Sequence, residues 1–215
     1  MNVTAVNVAD QDLMLGLSFL RQEASRGLPL ISANLIEPSQ GAPIFPPYVI
    51  NKVDNIRVAF FGLLSSDMSM AVRKTVGKKV LIKDPVETAR NLVERLRSQA
   101  DIIILLSDLG LEKEKELLRK VSGIHFVLGG REGQYMGSPI WEGKTPIFQS
   151  YNRGMYAGKL QITFTHASSP FRAEGQTNGN RFQWTLIPLD ASISEDNILS
   201  QWIREAGLEK LHNLR

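Results

Sequence analysis

Apolar residues recur along this chain in two rhythms, one of helical and one of strand period. Leu13, Leu17 and Leu20 follow helical spacing, and Gly27 with Pro29 marks a stop, so the pattern predicts a helix over residues 12–26. Ahead of it, Val3 to Val8 reads as a strand entered from Met1 with no lead-in, which leads us to expect that strands are missing upstream. Leu30 to Asn34 is a short apolar strand, and Glu37 to Pro47, with four prolines, is a loop. Tyr48 to Val53 and Ile56 to Phe61 flank Asp54-Asn55, the length of a tight hairpin turn. Residues 65–83 read as a solvated loop. Its cations Arg73, Lys74, Lys78, Lys79 and Lys83 have no aromatics among them for base stacking, which disfavours a phosphate or nucleic-acid patch.

The second half is plainer. Asp84 as N-cap, Pro85 at the first helical position and Glu87 in the first turn open a helix whose stripe is Val86, Ala89, Leu92, Val93 and Leu96. Ile102 to Leu106 is apolar at every position, the signature of a strand buried on both faces. A charged helix follows, with Leu117, Leu118 and Val121 inward, and then a strand from His125 to Leu128 that ends in Gly129-Gly130. Three β-rich runs come next, Pro146 to Ser150, Gly158 to Thr165 and Arg181 to Leu189, with a polar hairpin tip over residues 167–180. Ser194-Glu195-Asp196 caps a last helix carrying Ile198, Leu199, Trp202 and Ile203. The fold class is α/β, a layered α/β sandwich with mixed sheets. Residues 1–190 form the domain, incomplete at its N-terminus, and 191–215 a C-terminal helix and linker.

Composition narrows the chemistry. With 43% hydrophobic and 22% charged residues, the 215-residue chain can bury a core. It has no cysteine, so disulfides, thiolate metal sites and cysteine nucleophiles are excluded. A net charge of +3 is too slight to argue for nucleic acid. No apolar run is long enough to span a membrane, and no signal peptide is visible. Only three histidines occur, His125, His166 and His212.

Sites in α/β sandwiches gather beyond the carboxyl ends of strands. The loops there are Val8 to Asp12, Leu106 to Gly110 and Gly129 to Gln134. These segments resemble the metallophosphatase domain of the 5′-nucleotidase family, within the calcineurin-like phosphoesterases. Ala5 to Gly16 is similar to the family's A-x-N-x-G-N-H-[DE]-x-x-x-G, Leu30 to Leu35 to its S-A-N strand, Leu105 to Gly110 to L-L-S-H-L-G, and Gly123 to Gly133 to G-I-D-x-[IV]-[LI]-G-G-H-S-H. Ile147 to Ser150, Gly154 and Gly158 resemble its last strands.

The resemblance implies a metallophosphatase-like fold with its N-terminal strands missing. It also implies two divalent ions, Mn, Mg, Zn or Ca, that activate water for attack on a nucleotide phosphate. The family is largely exported, which suggests a periplasmic or extracellular place. The departures fall on the metal chemistry. Asp10 replaces the ligating Asn, Gln11 the adjacent His, Asp108 the His of the second motif, and Arg131 and Gly133 the two His of the third. Arginine is a fixed cation and glycine has no side chain, so neither ligates a metal. His125 is read as structural, and the other two histidines lie away from the loops.

Asp10, Asp108 and Glu132 offer oxygen ligands for Mg²⁺ or Ca²⁺, but Arg131 puts a positive charge among them; an Arg131–carboxylate cluster in place of the ions is the preferred reading. Arg131 as a phosphate or nucleotide anchor is the other, with Asn34 as a candidate on the substrate side. Asn34 reads equally as a residue bonding its own loop. Trp141 reads as a lid over the core edge, and Trp184 and Trp202 as core or docking anchors. Three functions follow. The first is a domain that has lost its two-metal hydrolase site, needs no cofactor and serves as a binding or structural module. The second is a metal-dependent phosphohydrolase whose missing ligands lie in an absent N-terminal segment. The third is an anion- or nucleotide-binding protein using Arg131. Missing strands also leave a sheet edge open, to be covered by a second copy or a partner chain.

Overall fold

The computed structural model describes residues 3–165, 171–173 and 179–205. In chain order its strands are β1 (Val6–Asn7), β2 (Leu30–Ile31), β3 (Leu35–Glu37), β4 (Ala42–Pro43), β5 (Tyr48–Val53), β6 (Ile56–Leu64), β7 (Leu81–Ile82), β8 (Ile102–Asp108), β9 (Phe126–Gly129), β10 (Ile140–Glu142), β11 (Thr145–Phe148), β12 (Tyr156–Thr163), β13 (Phe171–Ala173) and β14 (Asn180–Pro188). Its helices are α1 (Leu17–Ser25), α2 (Met70–Val76), α3 (Pro85–Leu96), α4 (Leu111–Lys120) and α5 (Asn197–Glu205).

A six-stranded mixed sheet in the order β10-β11-β9-β8-β6-β5 is the frame. β11, β9, β8 and β6 run parallel, and an antiparallel strand closes each end. The alternating pleat sends Ala59, Phe61, Leu63, Ile103 and Leu105 to one face, where they pack under the apolar stripes of α3 and α4. The α3 stripe is Ala89, Leu92, Val93 and Leu96, all buried, and Asp84 caps the helix by accepting from the Glu87 amide at 2.8 Å. On the other face, Ile102, Ile104, Phe126 and Phe148 meet Phe171, Phe182 and Trp184 of a three-stranded sheet, β12-β14-β13. β8 is thus buried on both sides, which its unbroken apolar run requires. A third cluster, with Val8, Leu13, Leu35, Leu64 and Val72, joins α1 and α2 to the small strands.

Several expectations need correction. The helix over 12–26 is split at Gly16, whose φ of 83° ends a single 3₁₀ turn (Asp12–Leu15) before α1 begins. The Leu30–Asn34 strand stops at Ile31, and pairing resumes in β3. Residues 65–83 are not simply a loop: Val72 and Val76, four apart, bury the inner side of α2, and the Ser69 hydroxyl caps it at 3.2 Å. The helical signal there is a single pair of valines four residues apart, set among cations that are exposed. The polar tip contains β13, which pairs with β14 in parallel. Trp202 is 61% exposed on α5, so it is no core residue.

Candidate functional site

β8 delivers Ser107 and Asp108 at its carboxyl end, and β9 delivers Gly129, Gly130 and Arg131 beside them. The loop after β1 brings Ala9 to Asp12 against both. Ala9, Asp10, Gln11, Asp12, Asp108, Gly130 and Arg131 line one polar hollow of about 310 Å³. The sequence-predicted Asp10, Gln11, Asp108 and Arg131 therefore converge, across 121 residues of chain between Asp10 and Arg131.

Arg131 organises this hollow. Its Nη1 donates to Asp108 Oδ2 at 3.2 Å and to the Asp108 carbonyl at 3.3 Å, while Nη2 reaches Asp10 Oδ2 at 3.4 Å and the Asp67 carbonyl at 2.8 Å. The Asp10 amide donates to Asp108 Oδ2 at 3.1 Å, and Asp12 accepts from the Ala9 amide at 2.8 Å. Burial pushes the Asp108 carboxyl up to about 6, opposed first by the Asp10 amide and then by Arg131. Asp67 is held below the usual carboxylate range chiefly by its bond to Lys113, whose ammonium also reaches the Ser65 hydroxyl.

Glu132 and Gly133 face elsewhere. Glu132 Oε2 accepts from the Leu111 amide at 3.1 Å, so this carboxylate caps the start of α4. Gly133 has φ 58°, and a Cβ there would run into the Asn152 side chain. Asn34 is fully buried and spends its amide on backbone: Nδ2 donates to the Leu64 and Lys83 carbonyls and Oδ1 accepts from the Leu64 amide. It presents no polar atom to a ligand. His125 exchanges bonds with Ile103, its Nδ1 accepting from the Ile103 amide at 2.9 Å, and burial lowers its pKa. His166 and His212 lie outside the described residues. Trp141 packs its ring 5.7 Å from Phe182, and Trp184 donates to the Met136 carbonyl at 2.7 Å.

Two groups escaped the sequence reading. Asp12 joins the hollow, and the Asp10-x-Asp12 spacing was the available signal. Glu114 is fully buried behind the site, and neither carboxylate oxygen meets a donor in good geometry among the described residues. Burial pushes it up to about 7, with the Ser107 side chain opposing in part. A Cβ on Gly129 would strike it, so the glycine makes its space. Its signal was a glutamate three residues after Leu111 and three before Leu117, on the inward stripe.

A two-metal centre does not fit these residues. Both central carboxylates hold a guanidinium, Glu132 is turned to α4, and among the described residues no group of three or more His, Asp or Glu is placed to hold an ion. Three carboxylates against one Arg131 also leave the hollow acidic near neutral pH, which disfavours a phosphate.

No protein-family model matches the chain. It is 26% identical over 155 residues to the trifunctional nucleotide phosphoesterase YfkN of Bacillus subtilis, covering 70% of this chain and 10% of that protein. It is 32% identical over 134 residues to the NAD 5′-nucleotidase of Haemophilus influenzae, covering 58% and 21%. The chain spans between 10% and 32% of the length of the first curated relatives it matches. Among solved structures, the sulfate thiohydrolase SoxB of Thermus thermophilus superposes with a TM-score of 0.83 at 17% identity, over 99% of this chain and 38% of that one. The chain's relatives and structural neighbours are thus members of the 5′-nucleotidase and calcineurin-like phosphoesterase family, at low identity and partial coverage, and its fold is metallophosphatase-like.

Proposed function

We propose that this divergent relative of the 5′-nucleotidases is a domain in which Arg131 stands in for the metal ions, so that it does not hydrolyse phosphoesters on its own and works as a binding or structural module. The observation that carries this is the clasp of Arg131 between Asp10 and Asp108. Each ion of a two-metal centre neutralises carboxylates and polarises the phosphate; a guanidinium does the first and cannot generate a hydroxide. Gln11 has no proton to exchange near neutral pH. Anchoring of a nucleotide by Arg131 is disfavoured, since four of its five N–H donors already point at two carboxylates and two carbonyls.

A module of this kind acts through its surfaces. Among the described residues no strand pairs with the outer side of β12, and a partner strand or second copy would cover such an edge. The test of lost hydrolysis is an assay with AMP and p-nitrophenyl phosphate in added Mn²⁺. No turnover above buffer is expected. Turnover that a chelator removes would overturn the reading in favour of a metal-dependent phosphohydrolase.

A further inference from the structure

Between Asp67 and Asp84 the only charged residues are Arg73, Lys74, Lys78, Lys79 and Lys83, all cations. Gly77, with φ 55°, lies in the left-handed region that strains a side chain, and it turns the chain at the end of α2 into a 3₁₀ turn (Gly77–Lys79). A polar hollow of about 680 Å³ joins Lys78 and Lys79 of that turn to Gly16, Ser18 and Arg21 at the start of α1 and to Glu37 at the end of β3. Its walls come from residues 15–79, all of them described. A strand added upstream would pair on the side of β1 that β2 leaves free, whereas Glu37 belongs to β3, which follows β2.

The hollow is positive on balance. Glu37 is the one carboxylate in its lining, and Arg21 already holds it at 3.2 Å. Neither lysine has an ion pair among the described residues, so two cations stay unmatched. Neutral donors lie beside them. Gly16 at the N-cap of α1 has no side chain to accept a hydrogen bond, and the amides of Leu17, Ser18 and Phe19 donate to no acceptor among the described residues. Free amides alone would be content with water; unmatched ammonium groups in the same hollow call for an anion. The strand-end hollow is the reverse, with three carboxylates around Arg131. Charge therefore directs a phosphate to α1 and away from Arg131.

We propose that the hollow between α1 and α2 binds a small, soluble phosphate monoester. Its phosphate accepts from the free amides at the start of α1 and from the ammonium groups of Lys78 and Lys79, and its carbon skeleton fills the rest of the volume beside Leu15 and Val76. The volume lies within the roughly 300–1,000 Å³ of small-molecule pockets and exceeds what a lone phosphate occupies. Among the described residues no aromatic side chain lines the hollow, so a base has nothing to stack on and a nucleic acid is disfavoured. A phosphate needs no aromatic, which is why the cations of this segment suit an ester and not a base. The proposal holds whether or not the chain hydrolyses phosphoesters. Its test reads binding in the presence of a chelator, so it and the lost-hydrolase reading can fail separately.

The experiment is an NMR titration of the isotope-labelled chain in EDTA with inorganic phosphate, ribose 5-phosphate and ribose. Both phosphates are expected to saturate at millimolar concentration, to shift the Leu17, Ser18 and Phe19 amides and to weaken with added salt, the ester binding more tightly. Ribose is expected to shift nothing. Replacing both exposed lysines, Lys78→Ala with Lys79→Ala, is expected to weaken the ester about tenfold or more. Ser18→Glu sets a carboxylate over the same amides; an acidic residue suits the first turn of a helix, so the fold is expected to hold while binding is lost. No shift at millimolar phosphate, shifts confined to Asp10, Asp108 and Arg131, an equal response to ribose, or full binding by both variants would overturn the proposal. Binding to vesicles that contain phosphatidic acid, with none to either soluble phosphate, would give the site to a lipid head group and overturn the soluble ester.

Discussion

β8 joins two regions that answer to different physical demands. From Ile102 to Leu105 it is sealed between α3 and α4 on one side and the aromatic cluster of Phe126, Phe148 and Phe182 on the other. Three residues later it ends in Asp108, bound to Arg131. The first region demands volume and burial, which many apolar sequences satisfy. The second demands named atoms at fixed distances, and one substitution removes them. A chain can therefore be only 26% identical to a relative and still keep such layers, whereas the polar groups at the strand ends answer to a stricter demand.

The contrast can be broken at its strongest point first. Phe61 is fully buried between the sheet and α3, and Phe61→Ala is expected to cost about 3–5 kcal/mol in urea unfolding. A loss under about 1 kcal/mol would mean that the core is not the close-packed region described.

Glu114 sharpens the contrast, because it sits in the core yet belongs to the chemistry of the loops. Its folded pKa lies above the unfolded value, so its stabilising contribution is complete below about 4.5 and is lost as pH rises through about 7. Glu114→Gln, which cannot ionise, is expected to be more stable than wild type at pH 8 by on the order of 2–3 kcal/mol and equal to it at pH 4. Equal stability of the two at both pH values would show that Glu114 is solvated.

The loop cluster gives the smallest of these effects. Arg131→Ala leaves Asp10 and Asp108 facing each other without a cation, at a side-chain exposure of 14% and 8%. A loss of about 1–2 kcal/mol is expected at pH 7, below the value for a fully buried pair because water still reaches the guanidinium. It should shrink as pH falls through about 6, where Asp108 takes up a proton, and a second substitution, Asp108→Asn, should restore most of it. An unchanged loss at pH 5 would detach Asp108 from the cluster.

Much of the frame was legible in the sequence. The α3 cap, the β5–β6 hairpin and β8 each rest on a local rule that tertiary packing did not override. The convergence of Asp10, Asp108 and Arg131 was legible through motif order and the rule of strand carboxyl ends. The orientation of single side chains was not. Glu132 neighbours Arg131 in sequence, yet the unpaired Leu111 amide at the start of α4 draws it away. Asn34 satisfies three backbone groups that come from 30 and 49 residues away, partners no local pattern announces. The α2 helix was hidden because two valines carry its whole apolar side.

Whether Arg131 occupies the place of the cations can be measured most directly by titrating Mn²⁺ calorimetrically into the wild-type chain and into Arg131→Ala. The expected result is no saturable heat for wild type at millimolar Mn²⁺ and saturable binding by Arg131→Ala, whose carboxylates are freed. Saturable binding by the wild type that Asp108→Asn abolishes would contradict it.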